Sequence, residues 1–254
     1  GAARGLAASA PFHSFAQGAH VIMKKKTSLF KWLAAAAVVV LIACTCRVTI
    51  IPDPVVETMI DADGNEVVVE ALSVAEQYCL DNWDSRIVPT VKERAVSMSE
   101  LIADADEDLG AAGAEYGYRA NETSAWSFCV SADAKVLELA NADSANKVQL
   151  VLDLAPYDGQ ADCMLHFGKV FSSGIKNAIR DGVAFLKLDD FANQVEFADL
   201  TTAFNNKVKE SIYAAYAPQD LVGCELSLYG CISMTAAGFE NYVIIPVEMN
   251  VTGG

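Results

Sequence analysis

Carboxylates, amides and an indole mark the places where this chain carries reactive or binding chemistry. Asp189 and Asp190 are adjacent, Asn193 and Gln194 follow closely, and Trp83 and Arg86 stand far upstream. Amides and a guanidinium beside an aromatic ring suit sugar hydroxyls or a carboxylate. Trp83, Arg86, Asp190, Asn193 and Gln194 are therefore the candidate ligand-binding set. A structural role competes with this reading: Arg86 pairs with a carboxylate, and the amides tie the Phe191–Phe197 segment to the rest of the fold. Asp189 and Asp190 would serve acid–base chemistry or a metal only if a loop turned them together, because neighbours on a strand point to opposite faces. The simpler assignment has one carboxylate capping the turn at Phe191 and the other in solvent.

Other chemistry is thin. His166 is the one histidine after Cys44 and makes no Ser–His–Asp set. No G-x-S-x-G, P-loop or G-x-G-x-x-G occurs. No CxxC occurs either, so a zinc site of the usual Cys/His kind is not expected, and no metal or cofactor is assigned. Trp126 and Phe128 could stack a base or a sugar ring, but their alternation with Ser127 and Cys129 places them in the core. Cys46, Cys79, Cys129, Cys163, Cys224 and Cys231 either pair as disulfides, in any of 15 connectivities, or stay as buried thiols.

The seventh cysteine has a more specific context. Met23 opens a basic head with Lys24, Lys25, Lys26 and Lys31, followed by an apolar run from Trp32 to Ala43. This is the layout of an export signal. The run is shorter than the roughly 20 residues that a membrane-spanning helix needs. Leu41-Ile42-Ala43-Cys44 resembles a bacterial lipobox, in which the cysteine sulfur takes a diacylglycerol and becomes the first residue after cleavage. The organisation expected is a mis-assigned upstream segment over 1–22, a lipoprotein signal peptide over 23–43, a tether over 44–70 and a globular domain over 71–254. Each buried methylene of an acyl chain contributes about 0.8 kcal/mol, so several chains hold a soluble body at a membrane.

All 33 acidic residues but only 13 of the 18 basic ones lie after Cys44, leaving a charge of −20 on the mature chain. Such a body is repelled by nucleic acid and by anionic headgroups, so its membrane partner is reached through lipid rather than basic patches.

The elements that must position these residues are read from periodicity. A hairpin turn at Asp61–Asn65 interrupts the tether, with a spacing that does not fit a calcium loop. Ser73-x-x-Glu76 and Ser97-x-x-Glu100 have capping-box spacing. The first helix runs to about Asp84 with Val74, Tyr78 and Trp83 inward, and Pro89 interrupts the next stretch. The second carries Leu101, Ile102, Ala105 and Leu109 inward, with Asp104–Asp108 as a solvated acidic face, and stops at Gly110 and Gly113. The period then changes to two, predicting four strands near 125–130, 136–139, 148–154 and 163–168. A short helix near 175–180 and a longer one over 199–216 come next, the latter with Leu200, Phe204, Val208, Ile212 and Tyr216 on one face. Strands near 226–234 and 243–251 close the chain, and Pro246 suggests an edge. The fold class is α+β, mainly antiparallel, an OB-like barrel with N-terminal helices and one helix before the last two strands.

Three stretches resemble a known family: Trp83-Asp84-Ser85-Arg86-Ile87-Val88-Pro89, Tyr116-Gly117-Tyr118-Arg119, and Phe185 to Phe197. They are similar to signatures of predicted periplasmic lipoproteins of unknown function, over about residues 72–252. The resemblance implies an OB-related fold and frequent encoding beside ribose-type sugar ABC transporters; it implies no activity and no catalytic residue. The expectation is a non-enzymatic lipoprotein on the periplasmic face or cell surface, lipidated at Cys44. It would assist a sugar ABC transporter by binding a small solute or touching the transporter. A structural envelope protein without a ligand, and a hydrolase using Asp189 or Asp190, are the alternatives.

Overall fold

A computed structural model describes residues 56–60, 66–70 and 72–254. Cys44, the apolar run before it and the Asp61–Asn65 turn lie outside the described residues. β1 (Val56–Ile60) and β2 (Glu66–Glu70) pair antiparallel.

Next comes an almost unbroken helical stretch. α1 (Val74–Asn82) opens on Ser73, whose hydroxyl accepts from the Glu76 N–H while Glu76 accepts from the Ser73 N–H. This is the expected capping box. A single π-helical turn, Trp83–Ile87, passes into α2 (Val88–Arg94). Pro89 therefore does not break the helix; it sits in the first turn of α2, where its missing N–H is least costly. The inward face also differs from expectation. Trp83 is buried as expected, but Val74 is 62 % exposed and Tyr78 only half-buried, and Ala75 and Cys79 are buried in their place.

β3 (Val96–Ser97) leads to α3 (Met98–Tyr116). Ser97 occupies the cap position, but its side chain makes no capping bond. The helix breaks at Asp108 (φ −155°, ψ 98°), whose carboxylate accepts from the N–H groups of Gly110 and Ala111 and starts a second helical segment. Gly110 and Gly113 thus lie within the helix rather than ending it. Gly113 has a packing reason: a Cβ there would fall 2.3 Å from the Trp126 indole. The acidic run is not merely solvated, because Asp104 accepts from Tyr116 and Asp106 from Tyr242.

Five long or medium strands complete the sheet: β4 (Trp126–Ala140), β5 (Gln149–Leu154), β6 (Cys163–His166), β7 (Glu225–Met234) and β8 (Val243–Gly253). The two strands expected over 125–139 are one 15-residue strand. β4 pairs with β7 through Trp126–Lys135 and with β5 through Ala134–Ala140, passing from one neighbour to the other without a turn. The order β4-β5-β6-β8-β7 returns to β4, so the pairings close into a ring, with β3 added beside β4. β6 and β8 run parallel and the remaining ring neighbours antiparallel.

Between β6 and β7 lie α4 (Ala178–Gly182) and α5 (Gln194–Val208). α5 begins five residues before the expected start, at its Asn193 cap, and continues into a π-helical turn at Lys209–Tyr213.

Two cores result. Phe128, Val130, Leu150, Leu152, Leu165, Leu228 and Ile232 fill the ring, joined by Met98 and Leu101 of α3. α1, α2, α4 and α5 pack a second core, with Trp83, Ile87, Leu200 and Phe204, on the other face of β4, β7 and β8. Alternating residues are therefore buried on both faces. β8 shows how the two cores share a strand. Tyr229 pairs with Glu248 and Gly230 with Pro246, leaving Val247 as an extra residue. Ile244 thus faces the ring core, Ile245 and Val247 the second core, and Met249 the ring core again. The expected single parity from Val243 to Val251 does not hold across this bulge. Pro246 lies just beyond Ile244, the last β8 residue paired to β6, where a missing N–H is tolerated.

Candidate functional site

The residues singled out from sequence do not form one site. Trp83 is 3 % exposed, and its ring lies 6.0 Å from Phe204 inside the second core. Arg86 lies over the Phe185 ring at 3.8 Å and reaches the Tyr78 hydroxyl at 3.5 Å. Asp190 closes the 3-10 turn Leu188–Asp190 and accepts from the Lys187 N–H. Arg86 and Asp190 share a shallow groove of about 390 Å³ with Tyr78, Phe191 and Glu196. Asn193 is the N-cap of α5, its side-chain oxygen accepting from Val195 and Glu196 N–H groups, and Gln194 is exposed in the first turn. Asp189 is exposed beside Asp190, and only Asp190 of the two lines the groove.

His166 is structural in its contacts. Its Nε2 lies 3.2 Å from the Val170 carbonyl, which only accepts, so Nε2 carries a proton. Tyr213 donates to the His166 carbonyl at 2.6 Å and lies 3.0 Å from Nδ1, while the Phe171 ring packs against the imidazole at 4.4 Å, tilted by 33°. Burial lowers the His166 pKa, the Val170 hydrogen bond opposes that shift and nearby Lys209 adds to it. Phe128 is fully buried in the ring core, and Trp126, half-buried, carries Arg119 over its ring at 4.2 Å.

A different place gathers polar groups from distant elements. A cleft of about 560 Å³ is lined by Ser124 before β4, Gln149 of β5, Ser172, Ser173 and Asn177 before α4, and Ser233 of β7. Arg180 and Asp181 of α4 form its charged wall. Their ion pair spans 2.8 Å with side chains 13 % and 24 % exposed, and the Arg180 guanidinium covers the Phe197 ring at 4.3 Å. α5 holds this wall: Thr201 donates to the Asn177 side-chain oxygen at 3.1 Å, and Asn205 donates to the Lys176 carbonyl at 3.0 Å. His166 holds the neighbouring turn through Val170. Opposite Ser233 in the β4–β7 ladder stands Ser127, 1 % exposed, whose hydroxyl has no hydrogen-bond partner among the described residues.

Sequence reasoning missed this cleft. The Ser172-Ser173-Gly174 run reads as an ordinary loop, and its meeting with Gln149 and Ser233 depends on strand order. The arrangement offers hydroxyls, amides, an Arg–Asp ion pair and the carboxylate of Glu240, which suits a ligand with many hydroxyls better than an anion. Among the described residues no group of three His, Cys, Asp or Glu could hold a metal ion, and no helix is long and apolar enough to cross a membrane.

Comparison with known proteins agrees on fold and place. An OB-fold protein of Thermotoga maritima, known from its crystal structure, superimposes with a TM-score of 0.57 at 13 % identity, covering 72 % of this chain and 100 % of its own. At that identity the likeness establishes the fold alone. No curated protein matches the chain. A family described as "Predicted periplasmic lipoprotein (DUF2291)" matches residues 34–250. The chain belongs to that family, and is an extracytoplasmic protein associated with the membrane through a lipid anchor.

Proposed function

We propose that the protein is a non-enzymatic accessory of a sugar ABC transport system, held to the membrane by lipid on Cys44 and binding a small neutral polyol in the Arg180 cleft. The observation that carries this reading is the cleft itself. Hydroxyl and amide side chains converge there around an Arg–Asp pair that cancels its own charge, with the Glu240 carboxylate left as a further acceptor. A polyol presents donors and acceptors in similar number, which such a lining can satisfy together. The family membership and the Leu41–Cys44 lipobox support the extracytoplasmic setting such a role requires.

Deleting the gene and measuring uptake of ribose and other pentoses and hexoses tests the transport role. Uptake of at least one sugar falls and returns with the wild-type gene; unchanged uptake across the panel sinks the proposal. A thermal-shift screen of the same sugars tests binding, since a ligand at 100 times its Kd stabilises by about 2.7 kcal/mol. Mass spectrometry of protein from the native envelope checks the anchor, with acyl chains expected on Cys44 at the N-terminus.

A further inference from the structure

We infer that Cys129 and Cys231 form a disulfide joining β4 to β7 in the exported protein. The five described cysteines are free thiols in the structure, and their settings differ sharply. Cys163 lies in the ring core, while the sulfurs of Cys79 and Cys224 face the Ala203 and Asp220 carbonyls. Cys129 and Cys231 are direct partners in the antiparallel β4–β7 ladder, with sulfurs 4.0 Å apart.

The ladder geometry favours a bond. Ser127 exchanges both backbone hydrogen bonds with Tyr118, and Val136 exchanges both with the Gly223–Cys224 segment, beyond the β7 end of the same ladder. Odd-numbered residues of β4 therefore point their N–H and C=O away from β7, and Cys129–Cys231 is a non-hydrogen-bonded pair. Such pairs bring Cα atoms to about 4.5 Å and side chains closest together. That separation lies within the window a disulfide spans, roughly 4.4–6.8 Å. Closing the bond brings the sulfurs from 4.0 Å to about 2.0 Å, a shift that rotation about the two Cα–Cβ bonds can supply.

The setting supplies the chemistry. The protein is extracytoplasmic, where disulfides form and persist. The oxidant is an envelope dithiol–disulfide oxidoreductase in its disulfide form. One cysteine thiolate attacks that disulfide and gives a mixed disulfide; the second thiolate displaces the oxidant as its dithiol. Two S–H bonds are lost and one S–S bond forms in the protein, while the oxidant's S–S bond breaks and its two sulfurs take up the electron pair and the two protons. Cys129 is 1 % and Cys231 0 % exposed, and the Gly182 carbonyl of α4 lies 3.3 Å from the Cys129 sulfur. Exchange thus belongs to the stage when β4 and β7 have paired and α4 has not yet closed over them. This inference does not depend on the solute proposed for the neighbouring cleft.

The test uses protein extracted from its native envelope without reductant. It is denatured in N-ethylmaleimide, digested, and mapped by mass spectrometry before and after reduction. The expected result is a linked pair of peptides carrying Cys129 and Cys231, two hydrogens lighter than their sum, with Cys79 and Cys163 alkylated. Alkylation of Cys129 and Cys231 without reduction, or linkage of either to another cysteine, overturns the inference. Because the folded protein shields both sulfurs, the sample is reduced in denaturant and refolded with reductant present; it should then melt about 5–10 °C below the untreated protein, and an equal Tm counts against a bond between these strands.

Discussion

Two surfaces of this protein carry the same device, an arginine laid on a phenylalanine, and they differ in what holds it. Arg86 lies over Phe185 in a shallow groove, with a 3.5 Å approach to Tyr78 as its hydrogen bond. Arg180 lies over Phe197 but is also paired with Asp181, and its wall is tied to α5 by Thr201 and Asn205. A binding group must be held in place before the ligand arrives, because ordering it afterwards costs affinity. Residue type is therefore a poor guide to the better site; the second layer of hydrogen bonds is a better one.

The largest expected effect tests whether Trp83 belongs to a site or to the core. Trp83→Ala removes a buried indole packed on Phe204 and should cost about 3–5 kcal/mol in urea unfolding. A variant of near-normal stability with impaired solute binding would return Trp83 to the binding set. Next is the direct contrast between the arginines. Arg180→Ala should weaken sugar binding, read by calorimetry, by about 1.5–3 kcal/mol, the range for hydrogen bonds to charged groups, while Arg86→Ala leaves it nearly unchanged. The reverse result would move the site to the Arg86 groove. Gly113→Ala places a methyl against the Trp126 indole beside the segment that carries Ser124. It should destabilise by about 1–3 kcal/mol through overpacking, measured by thermal unfolding, and weaken binding less than Arg180→Ala.

The smallest effect concerns pH. Burial holds the His166 pKa below its unfolded value, so the unfolded chain binds more protons as pH falls. The histidine's contribution is intact above about pH 6.5 and is lost progressively below it, toward the lower folded value. His166→Gln should flatten the difference in stability between pH 7.5 and 5.5 relative to wild type. An identical slope in both proteins would show that burial does not hold the His166 pKa below its unfolded value.

The fold is largely legible in the chain because its signals are local. Ser73 and Glu76 announce a helix start within four residues, and the alternation at 148–154 and 163–167 needs no distant partner to be seen. Local rules fail where they meet tertiary demands. Pro89 reads as a break, yet a π-turn absorbs it. Gly113 reads as a stop, yet it clears room for Trp126. Residues 125–140 read as two strands because each half faces a different neighbour. Asn193, assigned to a pocket, spends its amide on the first turn of α5.

From the chain alone came the basic head, the apolar run and the cysteine that ends it, the strongly acidic body, the α+β class and the order of its elements. These are properties of composition and short-range period, which any conformation of the chain retains. Strand order, the bulge that moves β8 between two cores, the meeting of Ser172, Gln149 and Ser233, and the facing sulfurs of Cys129 and Cys231 were decided only in the folded molecule. Each depends on residues far apart in sequence, brought together by closure of the ring and packing of helices against one side of it.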